Sequence, residues 1–345
     1  MYTEDRKNKI IEYMLDKIGN HENVLQKTAD SFFVSKSIVA QYLLELENLN
    51  IIKMNDSGKY ELIREPYYFS YKNVTLAEDL IYTKDILPIL KKINLPDNVE
   101  KIWQYAFTEM FNNAIDHSES TDIHVYVQVT YTDVKIIIRD EGVGIFNKIK
   151  NYYNYETVDD AISELFKGKL TTDLENHTGE GIFFTSQIMD MFYVASDRKI
   201  FSHDNYDERF VTLNANSQEE SILTRLLNDK GTIIFMDISN KSHKKLKDVF
   251  DKYSDVDGGF NKTKISLINV FGDFPVSRSQ AKRLYNRLDQ FSQVELDFAG
   301  VKEIGQGFAD ELFAKFVNLH PEIHIIVTHA NDEVLSMIRH AVKTL

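Results

Sequence analysis

Apolar positions recur at helix period at the start of the chain, at strand period in its middle, and in alternating blocks at its end. Within RKNKIIEYMLDKI, Ile10, Ile11, Met14, Leu15 and Ile18 are spaced three or four apart, which predicts an amphipathic helix. A short helical segment follows in NVLQKTADSF. SKSIVAQYLLELENLNII then opens on a Ser cap and carries Ile38, Val39, Tyr42, Leu43 and Leu46. IIKMNDSGKYELI reads as two short strands around an Asp-Ser-Gly turn. Val99, Ile102, Trp103, Ala106, Phe107 and Met110 predict a helix with a wide apolar stripe. DIHVYVQV and VKIIIRD predict a hairpin, and FYVASD, RFVTLN and GTIIFMDI further strands. After DKYSDVDGGFNK, the expected domain boundary, the pattern alternates. TKISLINVF, QVELDF and EIHIIVTH predict strands. SRSQAKRLYNRLDQF, GFADELFAKFVNLH and NDEVLSMIRHAVKTL predict helices, together a small α/β unit.

One helix breaks its own pattern. FTEMFNNAIDHS places Glu109, Asn112, Asn113 and Asp116 at helical spacing on one face of an otherwise apolar segment. An unpaired buried polar group costs about 1–3 kcal/mol, so such a ladder asks for a partner.

Composition narrows the class. Apolar residues at 43% and aromatics at 12% suffice for packed cores, and 345 residues predict two or three domains. There is no cysteine, hence no disulfide or thiolate metal site. No apolar run approaches the roughly 20 residues of a membrane span, and the N-terminus lacks a signal-peptide pattern. The expectation is a cytoplasmic protein with no membrane partner. A net charge of −13 argues against coating nucleic acid with the whole surface.

The order of elements in residues 1–65 resembles a winged helix-turn-helix. The resemblance implies that Ser35, Lys36, Ser37 and Gln41 face a DNA major groove, with Lys53 and Lys59 flanking the wing. The segment carries nine Lys/Arg against eleven Asp/Glu, a balance of −2, where DNA-binding modules are usually basic. Docking to protein or a second copy is therefore the competing reading.

Four features of the middle segment follow in a set order. The polar ladder comes first. IIIRDEGVGI then ends a buried run on Asp140 with Gly142 and Gly144 beyond it, a fixed acceptor beside backbone that a flat ligand can approach. In HTGEGIFFTSQIMDMF, Gly179 and Gly181 lead into an apolar helix, leaving N–H groups open to phosphate. Gly231-Thr232 opens a strand. Each alone also reads as an ordinary turn. Together their spacing, 27 residues from Asn113 to Asp140, 39 to Gly179, and 51 from Gly181 to Thr232, resembles the ATP-binding domain of the GHKL superfamily (gyrase B, heat-shock chaperones, histidine kinases, MutL).

The resemblance implies an α/β sandwich whose polar helix lies across an open mixed sheet and faces the cofactors, ATP and Mg²⁺. Asn113 would ligate the metal, helped through water by Asn112 and Asp116. Asp140 would accept from the adenine amino group with Thr232 in support. Gly142 and Gly144 complete the first glycine box, and Gly179 and Gly181 would bring amides to the phosphates. Glu109 would orient or deprotonate the attacking water. In the lid region, residues 145–178, Lys167 and Lys169 would meet the γ-phosphate, or else are surface lysines beside a turn glycine.

A histidine kinase with an upstream phospho-acceptor is disfavoured, because His21-Glu22 in NHENVLQK lacks the downstream proline. VELDFAGVKEIGQGFADELF resembles the STAS fold, but Gly305-Gln306-Gly307 stands where that fold carries its regulatory serine. A docking role toward a protein partner is the reading that follows. The expected architecture is α+β and three-domain: winged helix-turn-helix at 1–65, GHKL domain at 66–250 and STAS-like domain at 260–345. The expected function is an ATP-binding, slowly hydrolysing regulator that controls engagement of DNA or protein by the flanking domains. The alternative is a protein kinase acting on a separate partner. The superfamily's habit of pairing around ATP implies a homodimer.

Overall fold

The computed structural model describes residues 3–170, 179–202, 230–254 and 259–343. The strand expected in RFVTLN and part of the expected boundary, 255–258, lie outside the described residues.

The first segment folds as three helices and a hairpin. They are α1 (Glu4–Gly19), α2 (Val24–Phe32), α3 (Lys36–Asn48), β1 (Ile52–Met54) and β2 (Tyr60–Leu62). The side chains of Asn23 and Ser35 cap α2 and α3 by accepting from the N–H groups of Gln26 and Ile38. Ile10, Met14, Leu15 and Ile18 pack against Val39, Leu43, Leu46 and Ile52 in a separate small core.

The middle segment is one six-stranded sheet with helices on one face. Its strands are β3 (Glu65–Lys72), β4 (Asp122–Val129), β5 (Asp133–Asp140), β6 (Met191–Ser196), β7 (Lys199–Phe201) and β8 (Thr232–Ser239). Their order is β3-β4-β5-β8-β6-β7. Every neighbouring pair is antiparallel, where the resemblance implied a mixed sheet. β3 was not among the expected strands. It is an edge strand, exposed at every second position, so its polar half dilutes the apolar alternation. A helical stretch runs through α4 (Glu78–Ile81), a π-helical turn Tyr82–Ile86, and α5 (Leu87–Lys92). The long helix α6 (Asp97–His117) lays Val99, Ile102, Trp103, Phe107 and Met110, all fully buried, onto Val125, Ile136, Ile138, Ile234 and Met236 of the sheet. Helices α7 (Ile145–Tyr153), α8 (Val158–Leu165), α9 (Gly181–Ile188) and α10 (Leu246–Tyr253) complete the layer.

The last segment is a parallel sheet of β9 (Lys262–Ser266), β10 (Gln293–Asp297) and β11 (His324–Thr328) in the order β11-β10-β9. Between the strands lie α11 (Leu267–Phe271), α12 (Arg278–Tyr285), α13 (Gln306–Ala309, continuing as a π-helical Asp310–Phe316) and α14 (Val317–Leu319). α15 (Asp332–Lys343) follows β11. Two expectations are corrected. TKISLINVF is a strand only to Ser266 and helical from Leu267, since a short apolar run does not by itself distinguish the two states. The helix expected through residue 291 stops at Tyr285, and Arg287 takes a left-handed φ of 61°.

The core of this last unit is not closed on itself. Phe183 and Phe184 of α9 and Tyr253 of α10 pack with Phe260, Phe291 and Leu296. The ring centroids of Phe183 and Phe184 each lie 4.9 Å from that of Phe260.

Candidate functional site

The strand period of two puts Asp140 on the same face as Val134, Ile136 and Ile138. β5 therefore carries a carboxylate into the core at its last position, where it is 4% exposed. Insertion of β8 beside β5 pairs Arg139 with Ile233 and brings Thr232 to the end of the strand. Asp140 Oδ1 accepts from the backbone N–H of Gly142 (2.9 Å) and of Thr232 (3.2 Å). The Thr232 hydroxyl accepts from Ile145 N at 3.0 Å. Burial pushes Asp140 up to about 6, against the opposing pull of these donors. The close approach of β8 depends on Gly231. Its φ is +98°, and a Cβ there would stand 2.1 Å from the Asp140 carbonyl oxygen.

Helix α6 supplies the facing wall. Glu109, Asn113 and His117, each four residues on, line one cavity together with Asn112 and Ser118. Asp116 is exposed and off this wall, contrary to expectation. A row of i+4 positions is inclined to the helix axis, so the wall drifts away from Asp116 toward His117 by the last turn.

The cavity has a volume of about 320 Å³. Asp140, Thr232, Ile138 and Ile234 come from the sheet, Ile145, Lys148 and Ile149 from α7, and Gly181 and Ile182 from α9, with Leu165, Leu170 and Gly179 closing it. Isoleucines flank the carboxylate, which makes an apolar slot with a polar end. At the α9 end, a Cβ on Gly181 would lie 2.1 Å from Glu109 Oε2, so the carboxylate rests against the first backbone unit of the helix. Gly142 and Gly144 are not on the wall. Gly142 serves Asp140 through its N–H, and Gly144 precedes α7 with a φ of +80°.

Both lid lysines are corrected. Lys167 is 2% exposed and points away from the cavity, donating to Glu164 Oε1 (2.5 Å) and to the carbonyls of Arg283 (2.8 Å) and Asn286 (2.7 Å). Lys169 donates to the Gln290 carbonyl at 2.9 Å and lies over the rings of Phe260 and Phe291. Among the described lining residues the lysine is instead Lys148, whose Nζ donates to the His117 carbonyl (2.8 Å) and to Glu119 Oε1 (3.1 Å). Its signal in the sequence was its place in the first turn of α7, with Ile145 and Ile149 on the same face.

In the first segment Ser35, Lys36, Ser37 and Gln41 are all exposed on α3, and the Ser35 side chain is engaged as the helix cap. Among the described residues no group of three or more His, Asp or Glu is placed to hold a metal ion, and no helix is long and apolar enough to cross a membrane.

This geometry meets two family matches. Residues 84–200 match the model of the histidine kinase-like ATPase domain, and residues 280–335 that of a STAS-like domain of unknown function (DUF4325). The first interval contains α6, the Asp140 strand end and the Gly179–Gly181 helix entry; the second runs from α12 into α15. Neither interval reaches residues 1–65. No curated protein matches the chain. The chain thus carries a GHKL-type ATPase domain followed by a STAS-like domain, the equipment of a nucleotide-binding regulatory protein.

Proposed function

We propose that the cavity between α6 and the sheet binds Mg–ATP and that the chain is a slowly hydrolysing, nucleotide-gated regulator. The observation that carries this reading is the pair of fixed ends in one cavity. A buried carboxylate closes an isoleucine-lined slot, and a helix N-terminus meets an acid-and-amide ladder at the other side. An adenine ring fits the first end. Asp140 Oδ1 holds two backbone donors, and the carboxylate, flanked by the Thr232 side chain, would accept from the exocyclic amino group. Phosphates fit the second, where the amides at Gly179 and Gly181 and the dipole of α9 favour negative charge. Lys148 of α7 adds a cation to the cavity lining, held beside the His117 end of α6.

Magnesium suits this donor set. It takes few protein ligands and completes its shell with phosphate and water, so the Asn113 amide oxygen supports a site without a carboxylate cage. Bound there, the ion would neutralise charge building on the phosphates. Glu109, against the first backbone unit of α9, would orient the attacking water. The exposed α3 face, with Lys36, Ser37 and Gln41, is the surface through which the first domain would engage DNA, and the STAS-like domain the one that would engage protein.

The test is incubation of the whole chain with labelled ATP and Mg²⁺, following free phosphate and protein-bound label. Phosphate release that Glu109→Ala abolishes while nucleotide binding persists is the expected result. Label transferred to protein would favour the kinase reading, and absence of binding would end the proposal.

A further inference from the structure

The wall between the cavity and the C-terminal domain is one chain segment thick. Leu165, Leu170, Gly181 and Ile182 face the cavity. Their immediate neighbours face the other way, with Lys167, Gly168 and Lys169 on one side and Phe183 and Phe184 on the other. Lys167 has three N–H donors and three acceptors, one from Glu164 and two from the carbonyls at the C-terminal end of α12. That end of a helix, with its unused carbonyls and negative dipole, is where a cation is best received. Side chains that donate to backbone carbonyls close the seam around it. The Thr263 hydroxyl donates to the Lys167 carbonyl at 2.7 Å, and Arg287 Nη2 donates to the Lys169 carbonyl at 2.8 Å. Arg283 Nη1 pairs with Asp160 Oδ1 at 3.0 Å.

We propose that the STAS-like domain is a working part of the nucleotide site. Lys167 is the positioning residue that fastens the cavity wall at residues 164–170 to the end of α12, so that nucleotide binding and domain docking are one coupled equilibrium. This rests on the nucleotide reading above. A desolvated ammonium in a buried seam has to keep its acceptors or return to water, which makes the wall two-state rather than gradually deformable. Coupling of this kind is reciprocal: whatever docking adds to nucleotide affinity, nucleotide adds to docking.

The experiment is hydrogen exchange on the full chain with and without saturating Mg–ADP, read at the amides of α12, beside a nucleotide titration. In the wild type, nucleotide is expected to slow α12 exchange by about fivefold or more. Lys167→Met should bind nucleotide about tenfold more weakly and show no nucleotide effect on α12. A purely structural lysine would lower stability but leave that response intact. A wild type that binds nucleotide with α12 exchange unchanged overturns the coupling alone, as does a Lys167→Met protein with unaltered affinity. If the wild type binds no nucleotide, the pocket reading falls and the coupling with it. Should Lys167→Met not fold, the wild-type comparison decides by itself.

Discussion

Asp140 concentrates the chemistry of the cavity into one side chain, and its environment sets a pH signature. Burial holds it up to about 6, above the ordinary 3.8 of an aspartate. Its charged form therefore costs stability, and that cost appears as pH rises from about 4 through 6. Adenine recognition has the opposite sign, because the ionised carboxylate is the better acceptor. Affinity for adenine nucleotides should rise between pH 5 and pH 7.5 in a titration series. Asp140→Asn should lose at least about tenfold in affinity, the scale of a charge-assisted hydrogen bond. The same variant should match or exceed the wild-type melting temperature at pH 8, since the amide keeps the two backbone contacts without the buried charge. At this scale Asp140, Asn112, Asn113 and Glu109 were legible as lining of one cavity, because a carboxylate ending a buried run or a ladder interrupting an apolar helix breaks its own pattern, while Thr232 was legible only through the joint spacing of the four features. Lys167 and Lys169 were not, because the backbone carbonyls that claim them lie more than a hundred residues away, in α12 and the segment after it.

Two glycines separate the roles of the elements that carry them. At Gly231 an added Cβ meets backbone at 2.1 Å on a positive φ, so Gly231→Ala should part β8 from the end of β5 and cost about 2–4 kcal/mol, measured as a fall in thermal stability. At Gly181 the obstacle is the far end of the Glu109 side chain, which can move. Gly181→Ala should leave the melting temperature within a few degrees of wild type while reducing ATP turnover by an order of magnitude or more, in steady-state phosphate release. Among elements, α6 and the β4–β5 hairpin were plain in the sequence, since each has a long run at a single period. β9 and α11 were not separable, because Ile265, Leu267, Ile268, Val270 and Phe271 form one short apolar run in which a strand and a helix look alike. Asp116 misled for a related reason: periodicity gives a face, not the tilt at which a cavity crosses it.

Across the whole molecule, the domains are sequential along the chain but share side chains. Cutting the protein at residue 259 would uncover Phe183, Phe184 and Tyr253, which are 1%, 2% and 3% exposed in the intact chain. The fragment 1–259 is expected to aggregate or bind hydrophobic dyes strongly, whereas an independent middle domain would remain monodisperse in size-exclusion chromatography. The Asp- and Gly-rich DKYSDVDGGFNK marks the boundary in the sequence but not the packing of Phe183 and Phe184 across it, because those two aromatics sit in a helix already accounted for by its glycine entry. Toward the N-terminus the contact is more polar, with Lys241 paired to Glu12 at 2.8 Å and both exposed, so Glu12→Ala should change stability by less than about 1 kcal/mol in chemical denaturation.

The most direct trial of the account is calorimetric titration of the full-length chain with Mg–ADP and a non-hydrolysable ATP analogue, run in parallel on folded Asp140→Asn. One saturable site per chain, with affinity collapsing in the variant, is the expected result. A folded wild type that takes up no adenine nucleotide, or a variant that binds as tightly as the wild type, would contradict it.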